Sequence, residues 1–246
     1  MARVVLVHGA FNELWGPHEL KAHWLPALRD GLWHHDAEIA AADVEVCFWG
    51  DLFRREPDTE AEHQFEKSRA GIAESLVNLA GGDVIAAIGQ AVSEAAFDRI
   101  IDMVTIMATT PDLRARMRAR VEAVVSDDTR VIVSHSLGTL LSYTALCNHP
   151  HWRVHTFMTL GSPLASPRIF EHLEPPAIDG KGQWPGSVER WVNLRAIGDK
   201  VATVTLREKF GTRVEELLID NGHHAHDPEP YLNSATTGAA IAVALA

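Results

Sequence analysis

The sequence predicts an α/β protein, with a mostly parallel sheet flanked by helices. Short runs of β-branched and other apolar residues recur along the chain, and segments with apolar residues at helical spacing separate them. Apolar runs without polar alternation are typical of strands covered on both faces, as in parallel sheets. A chain of 246 residues is long enough for one domain of this class with a full core, since domains average about 150 residues.

Six segments are predicted as strands, at residues 4–7, 44–49, 130–134, 154–160, 191–196 and, more weakly, 216–219. Helices are expected after the first and third strands because apolar residues recur there at helical spacing: Leu20, Trp24, Leu25, Leu28 and Leu32, then Leu137, Leu140, Leu141 and Leu146. Residues 175–186, rich in glycine and proline, are predicted to form a loop. Strands that alternate with helices in this way favour one parallel sheet.

The regular spacing changes between the second and third strands. A single crossover needs far fewer residues than those that separate Asp51 from Asp127. Residues 60–79 carry a helical pattern, and a second helical stripe consists of Phe97, Ile100, Ile101 and Val104. Residues 114–125 match the displaced crossover helix in length and charge pattern. We therefore expect one domain over residues 1–246, with a helical cap at residues 54–112 inserted between the second strand and the helix before the third.

Charge and cysteine content argue against several classes of protein. The 22 basic and 33 acidic residues leave a net charge of −11, which disfavours binding to nucleic acid or anionic lipid surfaces. The two cysteines, Cys47 and Cys147, are too few for a disulfide framework and are predicted to be buried thiols. The apolar run at residues 4–7 is too short for a signal peptide, and no segment offers about 20 uninterrupted apolar residues. We expect a cytoplasmic protein without a transmembrane segment.

The strongest motif is Ser134-His135-Ser136-Leu137-Gly138, at the junction of the third strand and the following helix. A nucleophile elbow needs this context, in which a sharp turn lifts the serine oxygen above the sheet and small residues two positions away let strand and helix approach. Ser136 is therefore the candidate nucleophile. The motif departs from Gly-X-Ser-X-Gly at Ser134, and the alternative is that Ser136 only caps the helix.

A nucleophilic serine needs a histidine base and an acid that orients the histidine. In folds that carry a nucleophile elbow, the acid follows the serine along the chain, and the histidine follows the acid. Asp199 comes soon after the fifth predicted strand, in a Gly-Asp turn, and is the candidate acid; a turn aspartate without function is the alternative. The base is expected in a later loop that holds His223, His224 and His226.

Among these histidines, His226 is favoured as the base, His224 is the second choice and His223 the third. His226 lies closest to the last predicted helix, where Asp227-Pro228 resembles an N-cap followed by proline at the first helical position. Zinc binding is the competing interpretation of a histidine cluster. The His-His-X-His spacing lacks the i, i+4 helical geometry of a known metal motif, so neither a metal nor a cofactor is expected.

The first strand leads directly into His8-Gly9, followed by Ala10 and Phe11. An oxyanion hole needs two converging backbone N–H groups, one from the residue after the nucleophile and one from such a loop. The candidate donors are Leu137 and either Ala10 or Phe11; an ordinary turn at the strand end is the alternative. The residues expected to line a substrate cleft are Phe11, Trp15 and His135.

Five motifs, taken in order, resemble the α/β-hydrolase superfamily, and most closely its lipase-like serine esterases. They are His8-Gly9, residues 134–138, Thr159-Leu160-Gly161-Ser162-Pro163-Leu164, Gly198-Asp199-Lys200-Val201 and the late histidine loop. The resemblance spans nearly the whole chain apart from residues 54–112. It implies an α/β-hydrolase fold with a minimal sheet, because the family often has two further strands before the His-Gly strand. In the family, the base tends to precede a Tyr-Leu or Tyr-Trp pair, and Tyr231-Leu232 follows His226 here.

The expected function is hydrolysis of a carboxylic ester through an acyl-enzyme, with Ser136, His226 and Asp199 as nucleophile, base and acid. The expected substrate is a small-molecule ester or a lipid-like acyl compound. Two alternatives stay open. One is a non-catalytic protein that binds a ligand or partner through the cap, since a fold alone does not define a function. The other is an acyltransferase or thioesterase with the same triad; the sequence determines neither the acyl acceptor nor the oligomeric state.

Overall fold

The structure, a computed structural model, describes residues 2–54, 99, 102–107 and 109–246. Within these residues, one parallel sheet contains six strands: β1 (Val4–Val7), β2 (Val44–Cys47), β3 (Val131–His135), β4 (Thr156–Leu160), β5 (Arg190–Ala196) and β6 (Glu215–Ile219). The strand order is β2-β1-β3-β4-β5-β6. The predicted α/β class with a parallel sheet and flanking helices is confirmed.

Helices follow most of the strands and cover both faces of the sheet. They are α1 (Pro17–Trp33), α2 (Pro111–Glu122), α3 (Gly138–Asn148), α4 (Pro167–Phe170), α5 (Leu206–Phe210), α6 (Pro228–Leu232) and α7 (Ala235–Leu245). Short 3-10 turns occur at Ala41–Asp43, Gly50–Phe53 and Gly222–His224. Helices α2 and α3 pack together on one face of the sheet, and α1 packs against α6 and α7 on the other.

Successive residues of each strand point to opposite faces, as strand geometry requires. Apolar side chains therefore fill two separate cores, one on each side. The first core includes Val5, Val7, Ile132, Phe157 and Trp191. The second includes Val4, Leu6, Val133, Met158 and Leu194. Burial on both faces explains why the strand segments are apolar throughout rather than alternating.

The strand order reverses at β1. The chain passes from β1 to β2 on one side and then returns to place β3 on the other side of β1. In open parallel sheets, such a reversal leaves a crevice outside the carboxyl ends of the two strands, because their connections leave in opposite directions. This crevice lies between the segments that follow β1 and β3.

Several element boundaries differ from the sequence predictions for identifiable reasons. The strand predicted at residues 44–49 ends at Cys47, and the N–H of Trp49 donates instead to the His8 ring. The helix predicted at residues 114–125 begins at Pro111, in keeping with the preference of proline for the first turn. The last helix, which the sequence predicts to begin after Asp227, is divided into two helices, α6 and α7. The division occurs where Ser234 caps α7 by accepting the N–H of Thr237.

Two further predictions concern the cap and the cysteines. The predicted cap, residues 54–112, falls mostly outside the described residues; of its described part, residues 102–107 are helical. Cys47 is a buried free thiol as predicted, but Cys147 is only half-buried, so that part of the prediction is wrong. Cys147 lies near the end of α3 and packs against the edge of the first core. Among the described residues, no helix has the length and apolar character needed to cross a membrane.

Candidate active site

Ser136 lies in the sharp turn between β3 and α3 and has a φ of +50°. Such a backbone conformation costs a non-glycine residue about 1 to 3 kcal/mol, so neighbouring contacts must hold it. Its N–H donates to the carbonyl oxygen of Leu160 at 2.9 Å, and its own carbonyl oxygen accepts from Thr139 Oγ1 at 2.6 Å. Helix α3 begins at Gly138 without a side-chain cap, so the Ser136 hydroxyl does not cap this helix.

A chain of hydrogen bonds joins three side chains at the carboxyl edge of the sheet. Ser136 Oγ lies 2.9 Å from His226 Nε2, and His226 Nδ1 lies 2.9 Å from Asp199 Oδ2. Asp199 follows β5, and His226 precedes α6. Because an ionised carboxylate only accepts hydrogen bonds, Nδ1 carries the proton in the histidine–aspartate pair. Nε2 is then the acceptor that faces the serine hydroxyl.

The Asp199 carboxylate accepts four hydrogen bonds. Oδ1 accepts from the N–H groups of Val201 at 2.8 Å and Ala202 at 3.3 Å, while Oδ2 accepts from His226 and, at 2.8 Å, from the Tyr231 hydroxyl. Burial by itself raises the pKa of Asp199, but the bonds from His226, Tyr231 and Val201 outweigh burial and hold the pKa below its ordinary value. The carboxylate is therefore ionised at neutral pH and held in one orientation.

Two glycines allow the close approach of these side chains. A Cβ atom on Gly161, which has a φ of +56°, would lie 2.9 Å from Asp199 Oδ2 and 3.0 Å from His226 Nδ1. A Cβ atom on Gly9 would lie 2.7 Å from the Cβ of Ser136. Larger residues at either position would displace the hydrogen-bonded side chains, so the glycines of two sequence motifs are explained by the space around the site.

The other two histidines of the loop lie outside this chain of bonds. His224 Nδ1 lies 2.6 Å from Asp227 Oδ2, and the His224 side chain is 70% exposed. His223 is also exposed. Asp227 occupies the N-cap position of α6, as the sequence suggested, but its carboxylate binds His224 and leaves the helix without a side-chain cap. Of these three histidines, His226 is the one that contacts both Ser136 and Asp199.

The segment after β1 faces the turn that carries Ser136. The His8 ring is buried; its Nδ1 donates to the carbonyl oxygen of Gly9 at 2.7 Å, and its Nε2 accepts from the N–H of Trp49 at 3.0 Å. Burial lowers the pKa of His8 to about 4, so the ring is neutral. Three residues after His8, Phe11 has a φ of +65°. His8 therefore joins the ends of β1 and β2, and a strained turn follows it.

The predicted oxyanion donors lie on the two sides of the crevice. Within the part of the chain that the structure describes, the backbone N–H groups of Leu137, Ala10 and Phe11 donate to no protein acceptor. Backbone donors are normally paired in folded proteins, so unpaired ones beside a cleft are available to a ligand oxygen.

A cleft of about 310 Å³ lies at this crevice, and Ser136 and His226 both line it. The three residues predicted to line a cleft, Phe11, Trp15 and His135, are also part of its wall. Further apolar lining comes from Leu20 and Trp24 of α1. Asn12, Asp227 and Glu229 add polar groups to the same wall. This mixture resembles small-molecule sites, which combine mainly apolar surface with a few placed polar groups.

Three residues contribute to the site in ways that the sequence did not predict. Tyr231 binds Asp199, Gly161 makes room for the histidine–aspartate pair, and His135 Nε2 donates to the carbonyl oxygen of His226 at 2.7 Å. Burial lowers the pKa of His135 to about 3, so this ring is neutral. All three lie in motifs that the sequence made visible, but nothing in the sequence indicated their contact partners.

Ser134, the departure from the Gly-X-Ser-X-Gly pattern, makes a buried hydrogen bond. Its Oγ donates to Ser142 Oγ at 2.7 Å. Because Ser142 lies on α3, the strand and the helix approach closely despite the larger side chain, and the buried hydroxyl has a partner.

Among the described residues, no group of three or more His, Cys, Asp or Glu side chains is arranged to hold a metal ion. Neither a protein-family model nor a curated protein matches the chain. The fold and the site define an α/β protein with a hydrogen-bonded serine, histidine and aspartate at the carboxyl edge of its parallel sheet.

Proposed function

We propose that this protein is a serine hydrolase of the α/β-hydrolase type, which cleaves carboxylic esters with Ser136, His226 and Asp199 as its catalytic triad. The observation that carries the proposal is the continuous hydrogen-bonded chain, 2.9 Å at each link, beside a cleft. A serine that can pass its proton to an oriented histidine is the arrangement used in nucleophilic acyl transfer. The strained turn at Ser136 supports the proposal because a nucleophile elbow has this geometry.

In the first half of the reaction, Ser136 Oγ attacks the ester carbonyl carbon while its proton passes to His226 Nε2. The ionised Asp199 stabilises the resulting imidazolium through Nδ1. The carbonyl oxygen becomes an oxyanion, and the N–H of Leu137 together with that of Ala10 or Phe11 would stabilise it. The intermediate collapses, the C–O bond to the alcohol breaks, and His226 donates its proton to the departing alkoxide.

In the second half, a water molecule replaces the alcohol. His226 takes a proton from the water, whose oxygen attacks the acyl carbon. The bond from this carbon to Ser136 Oγ breaks, and the proton returns from His226 to the serine. A carboxylic acid is released and the site is restored.

The cleft lining favours an ester with an apolar acyl or alcohol group. Phe11 and Trp15 present aromatic surface to the cleft, and the almost fully buried Leu20 and Trp24 complete its wall. A panel of p-nitrophenyl esters of increasing chain length measures this preference. We expect kcat/KM to rise from acetate to medium-length acyl chains, because each buried methylene adds about 0.8 kcal/mol of favourable transfer free energy.

The proposal is tested by labelling with a fluorophosphonate, which reacts with activated serines. Wild-type protein should be labelled and should hydrolyse p-nitrophenyl esters, and Ser136→Ala should lose both properties while keeping its fold. Ser187→Ala, at an exposed serine bonded to the carbonyl oxygen of Trp152, is the matched control and should behave as wild type. Wild-type protein that is neither labelled nor active would overturn the proposal in favour of a binding protein.

Single alanine substitutions at His223, His224 and His226 test the assignment of the base. The His226→Ala variant should lose as much activity as Ser136→Ala, because its ring is the one in contact with Ser136 and Asp199. The exposed His223 and His224 should be dispensable within about twofold, as is usual for surface substitutions. Loss of activity in His224→Ala alone would reassign the base, and three active variants would contradict the triad.

A further inference from the structure

We infer that Tyr231 is a positioning residue of this site, whose hydroxyl holds the Asp199 carboxylate in the orientation that receives the His226 ring. The inference rests on the proposed hydrolase function, within which it adds a residue that touches neither the serine nor the cleft. The Tyr231 side chain is completely buried.

The Tyr231 hydroxyl connects the acid to the end of its own strand. It donates to Asp199 Oδ2 at 2.8 Å and accepts from the N–H of Ala196 at 2.7 Å. Ala196 is the last residue of β5, and Asp199 lies in the turn that follows. Because Tyr231 itself belongs to α6, one hydroxyl joins the strand end, the acid-bearing turn and the helix after the histidine loop.

The same carboxylate oxygen receives both the tyrosine and the histidine. Oδ2 lies 2.8 Å from the Tyr231 hydroxyl and 2.9 Å from His226 Nδ1. A carboxylate held by several donors cannot rotate freely, so the direction of its bond to His226 is determined before substrate binds. Burial, and then the neighbouring Asp199 charge, raise the pKa of Tyr231 far above its ordinary value, so its hydroxyl remains a donor.

The chain supplies a matched control, because its second tyrosine is equally buried but lies away from the acid. The sequence contains two tyrosines, Tyr143 and Tyr231. The Tyr143 hydroxyl donates to the carbonyl oxygen of Gln183 at 3.0 Å, and the residue is completely buried in the core on the opposite face of the sheet. Tyr143→Phe and Tyr231→Phe therefore each remove one buried hydroxyl, and only the second removes a bond to Asp199.

A double-mutant cycle separates positioning from a general loss of stability. Tyr231→Phe should lower kcat about tenfold to a hundredfold, the size expected when a charged group loses one hydrogen bond, with KM within about twofold. In an Asp199→Asn background, the same substitution should cost less than about threefold, because residues that act as a unit are non-additive. Tyr143→Phe should change kcat less than about twofold in either background.

The pH profile gives a second measurement that a purely structural role would leave unchanged. The hydrogen bond from Tyr231 is one of those that hold the pKa of Asp199 below its ordinary value, so its removal should raise that pKa. The acid limb of kcat/KM, where it reflects protonation of Asp199, should then move to higher pH by on the order of 0.5 unit. Equal losses of kcat in both backgrounds, or no loss in the wild-type background, would overturn the inference.

A proton NMR measurement keeps this result separate from the proposed function. The Nδ1 proton between His226 and Asp199 should give a low-field signal, which Tyr231→Phe should shift and Tyr143→Phe should leave in place. If wild-type protein is inactive and unlabelled, the hydrolase proposal fails, and the NMR shift still reports whether Tyr231 acts on the histidine–aspartate bond. An unchanged signal in folded Tyr231→Phe would contradict the inference directly.

Discussion

The ends of β1 and β3 are similar in sequence and in backbone, yet they contribute to the site in different ways. Each carries a buried histidine, His8 or His135, and each leads to a left-handed residue, Phe11 at +65° or Ser136 at +50°. The turn after β3 presents a side chain, since Ser136 Oγ meets His226. The loop after β1 presents backbone N–H groups instead, because the His8 ring is engaged with Gly9 and Trp49. Strained turns at neighbouring strand ends therefore provide the two halves of one proposed reaction centre.

The largest expected effect tests whether the turn after β3 contributes a side chain, Ser136, while the loop after β1 contributes only its backbone N–H groups. Ser136→Ala should lower kcat for an activated ester by about 10⁶, the loss known for triad serines. Phe11→Ala should lower kcat less than about tenfold, because the backbone N–H groups of the loop are retained. Steady-state kinetics with one p-nitrophenyl ester measures both. Equal losses in the two variants would show that the Phe11 side chain, rather than its backbone, is required.

A second prediction concerns the hydrogen-bonded partners of the β3 turn. Asp199→Asn should lower kcat by roughly 10³ to 10⁴, because an amide favours the wrong histidine tautomer. The thermal midpoint of unfolding should be measured in parallel, since Asp199 also anchors the N–H groups of Val201 and Ala202. A folded variant with less than about tenfold loss would mean that another acid orients His226.

A third prediction tests how closely the two strand ends must approach. Gly9→Ala would place a Cβ atom 2.7 Å from the Ser136 Cβ, so one of the two segments must move. We expect kcat/KM to fall about a hundredfold, the cost of a misplacement of roughly 1 Å in a catalytic site. The control is Gly16→Ala in the same loop, where an added Cβ meets nothing within 4 Å. Similar activity in the two variants would contradict the requirement for close approach.

The smallest expected effect is on the pH dependence of stability. Burial lowers the pKa of His8 from 6.5 to about 4 and that of His135 to about 3. The unfolded chain therefore binds more protons than the folded chain below pH 6.5, and the free energy of unfolding falls as the pH falls through this window. Each histidine should contribute a loss of about 2 kcal/mol between pH 7 and pH 5, at 1.36 kcal/mol per unit.

Urea denaturation at several pH values measures this dependence, and substitutions separate the contributions. His8→Asn should reduce the slope of unfolding free energy against pH, even if it lowers stability at every pH. A His8→Asn slope equal to that of wild type would show that His8 is protonated in the folded protein.

Local patterns in the sequence were sufficient to predict the α/β class and the approximate position of each strand, because apolar runs and helical spacing depend on near neighbours. The same holds for the strand–turn–helix context of Ser136 and for the chain order of Ser136, Asp199 and His226. The choice of His226 over His224 remained a preference among adjacent residues, since all three histidines share nearly the same local sequence.

Tertiary structure decided the contacts that bring the candidate site residues together. His226 meets a serine 90 positions away and an acid 27 positions away, and Tyr231 meets that acid from 32 positions away. The reversal of strand order at β1, which opens the crevice, likewise depends on which strands pair. Hydrogen bonds of this kind require atoms to be placed within a few tenths of an ångström, and that placement comes from packing of the whole sheet and its helices rather than from any local pattern.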